Sequence, residues 1–200
     1  MNDSLFIETL KVVDGQFVCP EFHLKRMEST QQEVFGRTAP LQLEETMIPI
    51  DKRQGVVKCR IIYGTEVQQI DYEFYHRRSI QSLKLVDGGL IDYHLKYADR
   101  TVFTQLLEQR GHCDEILIIR QGEITDTSFS NVVFYDGVNY VTPRSFLLNG
   151  TKRQFLLQTG RIIERRIGVE DLKNYEYLYL INAMLEIEDC VKVDLYQIMK

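Results

Sequence analysis

Long apolar runs are missing from this sequence. None approaches the ~20 residues a membrane-spanning helix requires, so no membrane partner is expected. A dense Lys/Arg stretch is missing too: 24 Lys and Arg against 29 Asp and Glu leave a net charge of −5, and nucleic acid is not an expected partner. Four cysteines, Cys19, Cys59, Cys113 and Cys190, are scattered without the close CxxC spacing of a zinc site. No metal is therefore expected, and reduced thiols are the default. With no signal-peptide pattern at the start, the expected location is cytoplasmic. Internal repeats and low-complexity tracts are also lacking. What is present is 200 residues, 44% hydrophobic and 26% charged, enough apolar material for a sizeable core in one or two domains.

Residues 5–13 alternate and are rich in β-branched side chains, and Asp14-Gly15 joins them to Gln16-Phe17-Val18 as a tight hairpin. Pro20 suits the first turn of a helix over residues 21–35, with Phe22, Leu24, Met27 and Val34 apolar and Gly36 as its stop. On it His23 and Arg26, three apart, share a face. Pro40 and Pro49 bracket one short amphipathic helix. Strands are expected over residues 56–63, 67–75 and 79–85. Asp87-Gly88-Gly89 reads as a linker, which sets the domains at 1–88 and 89–200.

An apolar run after that linker leads to Lys96, and a helical pattern over residues 97–110 follows, so Lys96 is placed at a strand-to-helix junction. Residues 115–119 read as a buried strand, and residues 124–134 as a strand interrupted by a polar block. A hairpin turns at Asp136-Gly137. Gly150 opens a helix with Phe155, Leu156 and Ile162 on its apolar face, and residues 177–181 form a last buried strand running into Asn182-Ala183.

An amine that attacks a carbonyl must be neutral for part of the time, which desolvation or a nearby cation promotes. Lys96 has Arg100 four residues on. An aldehyde cofactor held by Lys96 would need a carboxylate at its ring nitrogen, for which Asp126 is a candidate, and donors for its phosphate. Gly150-Thr151-Lys152 at a helix start offers backbone N–H groups, and Arg26 a bidentate charge. Singly, each has a plain structural reading: Lys96 as a solvated lysine, Asp126 as a turn residue, Gly150-Thr151 as a cap, Arg26 as a surface charge.

Their order along the chain resembles a known family. The array Glu8-Thr9-Leu10-Lys11-Val12-x-Asp14-Gly15, His23-Leu24-x-Arg26, Leu95-Lys96-x-x-x-Arg100, Ile124-Thr125-Asp126, Asn131-Val132-x-Phe134, Gly150-x-x-Arg153-Gln154 and Asn182-Ala183 is similar to the fold-type IV pyridoxal-phosphate enzymes. That family includes aminodeoxychorismate lyase and the branched-chain and D-amino-acid aminotransferases. The resemblance implies an α/β (α+β) fold of two domains with the cofactor cleft between them, pyridoxal 5'-phosphate as cofactor, a small-molecule amino substrate and a homodimer. It places Lys96 where the family's lysine carries the cofactor and moves the substrate α-proton. Arg26, Thr151, Lys152, Ser128, Asn182 and Ala183 fall among the cofactor-binding positions, Ala183 in place of a hydroxyl residue. Asp126 stands for a glutamate at the ring nitrogen, one methylene shorter.

Departures choose within the family. Lys96-x-x-x-Arg100 followed later by Asn182-Ala183 is nearer the lyase pattern. Tyr63 stands where D-amino-acid aminotransferases have a carboxylate-binding arginine, and Arg60 and Arg100 are the candidates for a substrate carboxylate. The chain also starts after the family's usual N-terminal hairpin, which implies a trimmed small domain. The expected activity is a lyase on 4-amino-4-deoxychorismate that releases pyruvate and 4-aminobenzoate for folate synthesis. A branched-chain-type aminotransferase and a non-catalytic relative are the alternatives.

Overall fold

A computed structural model describes residues 4–39, 41–189 and 191–199, so Pro40 and Cys190 lie outside the described residues. The chain forms two compact units, one of residues Met1–Arg77 with Leu95–Asp99, the other of Arg78–His94 with Arg100–Lys200. The expected boundary was near Gly88. Strand pairing places residues 83–87 with the second unit, and main-chain bonds tie residues 96–98 to the first.

In the first unit, β1 (Phe6–Val13) turns through Asp14 and Gly15, both at positive φ (48° and 83°), into β2 (Gln16–Phe17). That is the backbone hand a two-residue hairpin needs. After α1 (Pro20–Phe35) come β3 (Val56–Tyr63) and β4 (Val67–Phe74), giving an antiparallel sheet in the order β2-β1-β3-β4. Side-chain alternation sends Phe6, Leu10, Val12, Val57, Cys59, Ile61 and Tyr63 to one face, where they form a core with Met27 of α1. Pro20 opens α1, and Gly36 closes it at φ 65° with its N–H bonded to the Gln32 carbonyl. The buried residues of α1 are His23, Met27, Thr30 and Gln31, a more polar inner face than expected. Between α1 and β3 two separate 3₁₀ turns, Glu45–Met47 and Ile50–Lys52, stand where one helix was expected, because Pro49 removes a donor between them.

The second unit holds two sheets. One runs β13-β5-β6-β7 from β5 (Leu83–Asp87), β6 (Glu115–Arg120), β7 (Glu123–Ile124) and β13 (Ile198–Met199), the first three in that order parallel. The other runs β10-β9-β8-β11-β12 from β8 (Asn131–Tyr135), β9 (Tyr140–Pro143), β10 (Ile163–Arg165), β11 (Tyr177–Ile181) and β12 (Lys192–Asp194). Of its helices, α2 (Thr101–Leu107) begins later than expected, and α3 (Thr151–Gln158) follows Gly150 as expected. The delay has a cause in the first unit: Tyr97 bridges Phe6, and the Ala98 N–H bonds the Leu5 carbonyl, so residues 97–98 are committed to β1. Lys96 therefore lies in an irregular segment docked on β1 and not at the end of a strand. No helix among the described residues is long and apolar enough to cross a membrane.

Candidate active site

In the first unit a carboxylate sits in the core. Glu8 shares the inner face of β1 with Phe6 and Leu10 and is fully buried. A lone buried charge there would be costly, on the order of 3–5 kcal/mol if its partners were removed. α1 supplies those partners from two positions three residues apart. Arg26 grips Glu8 with two parallel bonds, Nε to Oε1 at 2.7 Å and Nη2 to Oε2 at 2.6 Å, the strong bidentate geometry of a guanidinium on a carboxylate. His23 Nδ1 lies 2.7 Å from the same Oε2. Burial works against ionisation of Glu8, but the charge and bonds of Arg26, with those of His23, outweigh it and hold the carboxyl at about 2. Burial lowers the pKa of His23 below its ordinary 6.5 despite the Glu8 carboxylate, with the charges of Arg26 and Lys96 acting in the same direction. Since the ionised Glu8 can only accept, His23 Nδ1 is the donor.

Lys96 belongs to this same unit. Its carbonyl accepts the Ile7 N–H at 2.9 Å, and the rings of Tyr97 and Phe6 lie 5.2 Å apart. The side chain is half-buried. Arg60 is exposed on the other face of β3, level with Thr9 of β1 and Asp71 of β4. Tyr63, expected at the substrate, is fully buried in the core with its ring 5.8 Å from that of Phe6. The alternation of β3 that sends Arg60 out sends Tyr63 in, to the face that also carries Glu8.

The remaining candidates lie in the second unit, Asp126 among them. This carboxylate is 5% exposed. Its Oδ1 accepts from Asn131 Nδ2 at 2.8 Å, and its Oδ2 from the N–H groups of Leu147 and Leu148 at 2.9 and 3.0 Å. Burial nevertheless dominates and pushes its pKa up to about 6, against those three bonds and the charge of Arg153. Asn131 also donates to the Leu148 carbonyl at 2.9 Å and presses against Gly150, where an added Cβ would stand 2.0 Å from Asn131 Oδ1. Only glycine fits at the start of α3.

Thr151 and Lys152, in the first turn of α3, are buried. The Lys152 amine is taken up by Glu186, at 2.6 and 2.7 Å from its two oxygens. Arg153 pairs with Glu164 and bonds the Pro143 carbonyl at 3.1 Å. These two pairs offset the penalty of two cations at a helix N-terminus, where the macrodipole is positive. Asn182 follows β11, donates to the Phe129 carbonyl at 3.3 Å and accepts from the Met184 N–H at 2.8 Å, with half-buried Ala183 in the turn it closes. Ser128 is buried, and its carbonyl accepts from Arg100 Nη2, so Arg100 is tied to the protein's own main chain.

Two residues of these clusters, Glu8 and Asn131, stand in the sequence array as motif letters without a role. A charged letter at an inward position of an alternating strand is the signal for Glu8. For Asn131 the signal is a polar residue beginning an otherwise apolar strand.

The fold, three sheets with helices, and the paired clusters define a mixed α/β enzyme of the fold-type IV class. Residues 93–193 match the family model described as Amino-transferase class IV. An uncharacterized protein of Haemophilus influenzae is 38% identical over 180 residues, 88% of this chain and 96% of that protein. A Haemophilus somnus structure provisionally named 4-amino-4-deoxychorismate lyase is 37% identical with a TM-score of 0.79, covering 92% of this chain and 98% of that one. A hypothetical aminotransferase of Mycobacterium tuberculosis in its pyridoxal-phosphate-bound form shares the fold at 19% identity, TM-score 0.72, covering 92% and 78% of the two chains. The chain belongs to the class IV aminotransferase family, whose fold-type IV members are pyridoxal-phosphate enzymes.

Proposed function

We propose that this chain binds pyridoxal 5'-phosphate and acts as a 4-amino-4-deoxychorismate lyase, releasing pyruvate and 4-aminobenzoate, as a cytoplasmic homodimer serving folate biosynthesis. The observation that carries this reading is the likeness, over nearly the full length of both chains, to the Haemophilus somnus protein provisionally given that name.

The side chains suit the cofactor in kind. Asp126 uses three of the roughly four acceptor sites of a carboxylate, which leaves one for a ring N–H. The main chain at Thr151 and Lys152 opens a helix whose N-cap, Gly150, carries no side chain to cover it, a setting that favours a phosphate. Arg26 would share its guanidinium between Glu8 and the phosphate, with Asn182, Ala183 and Ser128 as further contacts. Bound pyridoxal phosphate supplies an electron sink for the charge left on the substrate's α-carbon. Lys96 Nζ takes the α-proton before pyruvate is eliminated, and Asp126 keeps a proton on the ring nitrogen by presenting a carboxylate to it; Arg60, on the outer face of β3, is left without a role at the substrate.

Purified protein incubated with pyridoxal phosphate should develop a visible absorbance band that borohydride bleaches, and Lys96→Ala should abolish both the band and turnover. The lyase should form pyruvate with no keto-acid acceptor. Turnover that strictly requires such an acceptor would replace the lyase with a class IV aminotransferase, and a Lys96→Ala variant with unchanged turnover would remove the centre of the reading.

A further inference from the structure

The stretch 125–131 between β7 and β8 is polar yet buried, and buried main chain must find partners. Most of them are local. The Ile118 N–H bonds the Asp126 carbonyl at 2.8 Å, and the Thr127 N–H bonds the Ser130 carbonyl at 2.9 Å. The Phe129 and Ser130 N–H groups reach Thr127 Oγ1 at 3.3 and 3.0 Å. Ser128 differs, because both of its main-chain groups are met by charged side chains from other elements. Its N–H makes a long bond of 3.4 Å to Glu115 Oε1, and its carbonyl accepts from Arg100 Nη2.

Neither side chain is there for packing alone. Glu115 opens β6 and is fully buried; its Oε1 also accepts the Ile116 N–H at 2.9 Å, while Oε2 finds no hydrogen-bond partner among the described residues. A buried carboxylate with an oxygen left over is costly where an apolar residue would be cheap, so the position draws attention to what the other oxygen holds. Arg100 precedes α2, with its guanidinium 5.1 Å from the centre of the Phe103 ring as well as on the Ser128 carbonyl.

We propose that Arg100 and Glu115 are positioning residues that hold the Ser128 main chain on either side of its Cα and so fix Asp126, two residues back. Arg100 thus acts on the loop and not on the substrate carboxylate. The role given to Asp126 rests on the function proposed above; the hold on Ser128 does not.

The test uses the full chain and the variants Arg100→Gln, Arg100→Lys and Glu115→Met. In cofactor-free protein, hydrogen exchange of a peptide covering 125–131 should speed up by about tenfold or more in Arg100→Gln and in Glu115→Met, the scale of losing a bond to a charged group. Arg100→Lys, which keeps a donor, should recover part of that protection. With cofactor and substrate, Arg100→Gln should lower kcat while KM stays within about twofold, the signature of a residue that does not bind the substrate directly. Unchanged exchange over 125–131 in both Arg100→Gln and Glu115→Met overturns the proposal, as does a large rise in KM at constant kcat in Arg100→Gln. Wild-type protein that takes up no pyridoxal phosphate sinks the proposed function, and the exchange measurement still decides the hold on Ser128.

Discussion

At the scale of single residues, Gly150 shows how a short-range cue and a long-range cause can coincide. From the letters alone it is a helix start, and α3 does begin at the next residue. Its φ of −64° is open to any residue, so backbone freedom does not require glycine here. The requirement comes from Asn131, which stands in the space a Cβ would take and is itself held by Asp126 and the Leu148 carbonyl. Gly150→Ala should therefore push the amide off Asp126 and leave a buried carboxylate oxygen without its donor, costing about 1–3 kcal/mol. Urea unfolding followed by tyrosine fluorescence, the chain having no Trp, measures this. In an Asn131→Ala background the same substitution should cost far less; equal costs in both backgrounds would mean that Asn131 is not the obstacle. No reading of the sequence could reach that coupling, because the two residues are nineteen positions apart and meet only after β8 and α3 are in place.

At the scale of elements, the ends of α1 were legible and its inner face was not. Proline at the start and glycine past the end are local signals, and they give the observed limits within a residue. Of the expected Phe22, Leu24, Met27 and Val34 only Met27 is fully buried, and His23, Thr30 and Gln31 join it, since Glu8 on β1 draws His23 and Arg26 toward the sheet. α2 follows the same rule in reverse: residues 97–98 have helical letters, but a docking bond to β1 outcompetes an uncapped first turn. Tertiary pairing thus overrides local preference where a partner strand is close. The pairing between α1 and β1 predicts that Glu8→Gln lowers stability by roughly 3–5 kcal/mol, discounted by the partial exposure of Arg26. Joint replacement, Glu8→Leu with Arg26→Met, should recover most of that loss in the same urea experiment. If the double variant is no more stable than Glu8→Gln, the cost lies in packing and not in the stranded charge.

For the whole molecule, the two units carry buried acids whose pKa values move in opposite directions, and stability should respond to pH in opposite senses. Glu8 is held at about 2 against an ordinary 4.5, so its contribution is complete above pH 4.5 and is lost as the pH falls toward 2. His23, lowered by burial, acts in the same sense, its contribution complete above pH 6.5 and lost on acidification. Asp126 is raised from 3.8 to about 6, so its contribution is present below pH 3.8 and is lost as the pH rises through 6. Each carboxyl shift corresponds to about 3 kcal/mol. Three donors aimed at Asp126 do not reverse this, because they compensate only part of the desolvation of a nearly enclosed charge. A carboxylate that burial makes costly to ionise gains from an opposing positive charge, which is what the proposed ring N–H would bring. Unfolding of wild type and Asp126→Asn at pH 4 and pH 8 isolates the effect: relative to the variant, wild type should be more stable at pH 4 than at pH 8 by up to about 3 kcal/mol. A difference that stays constant across that range, or that grows toward pH 8, would show that Asp126 is ionised throughout and that its hydrogen bonds, not its burial, set its charge.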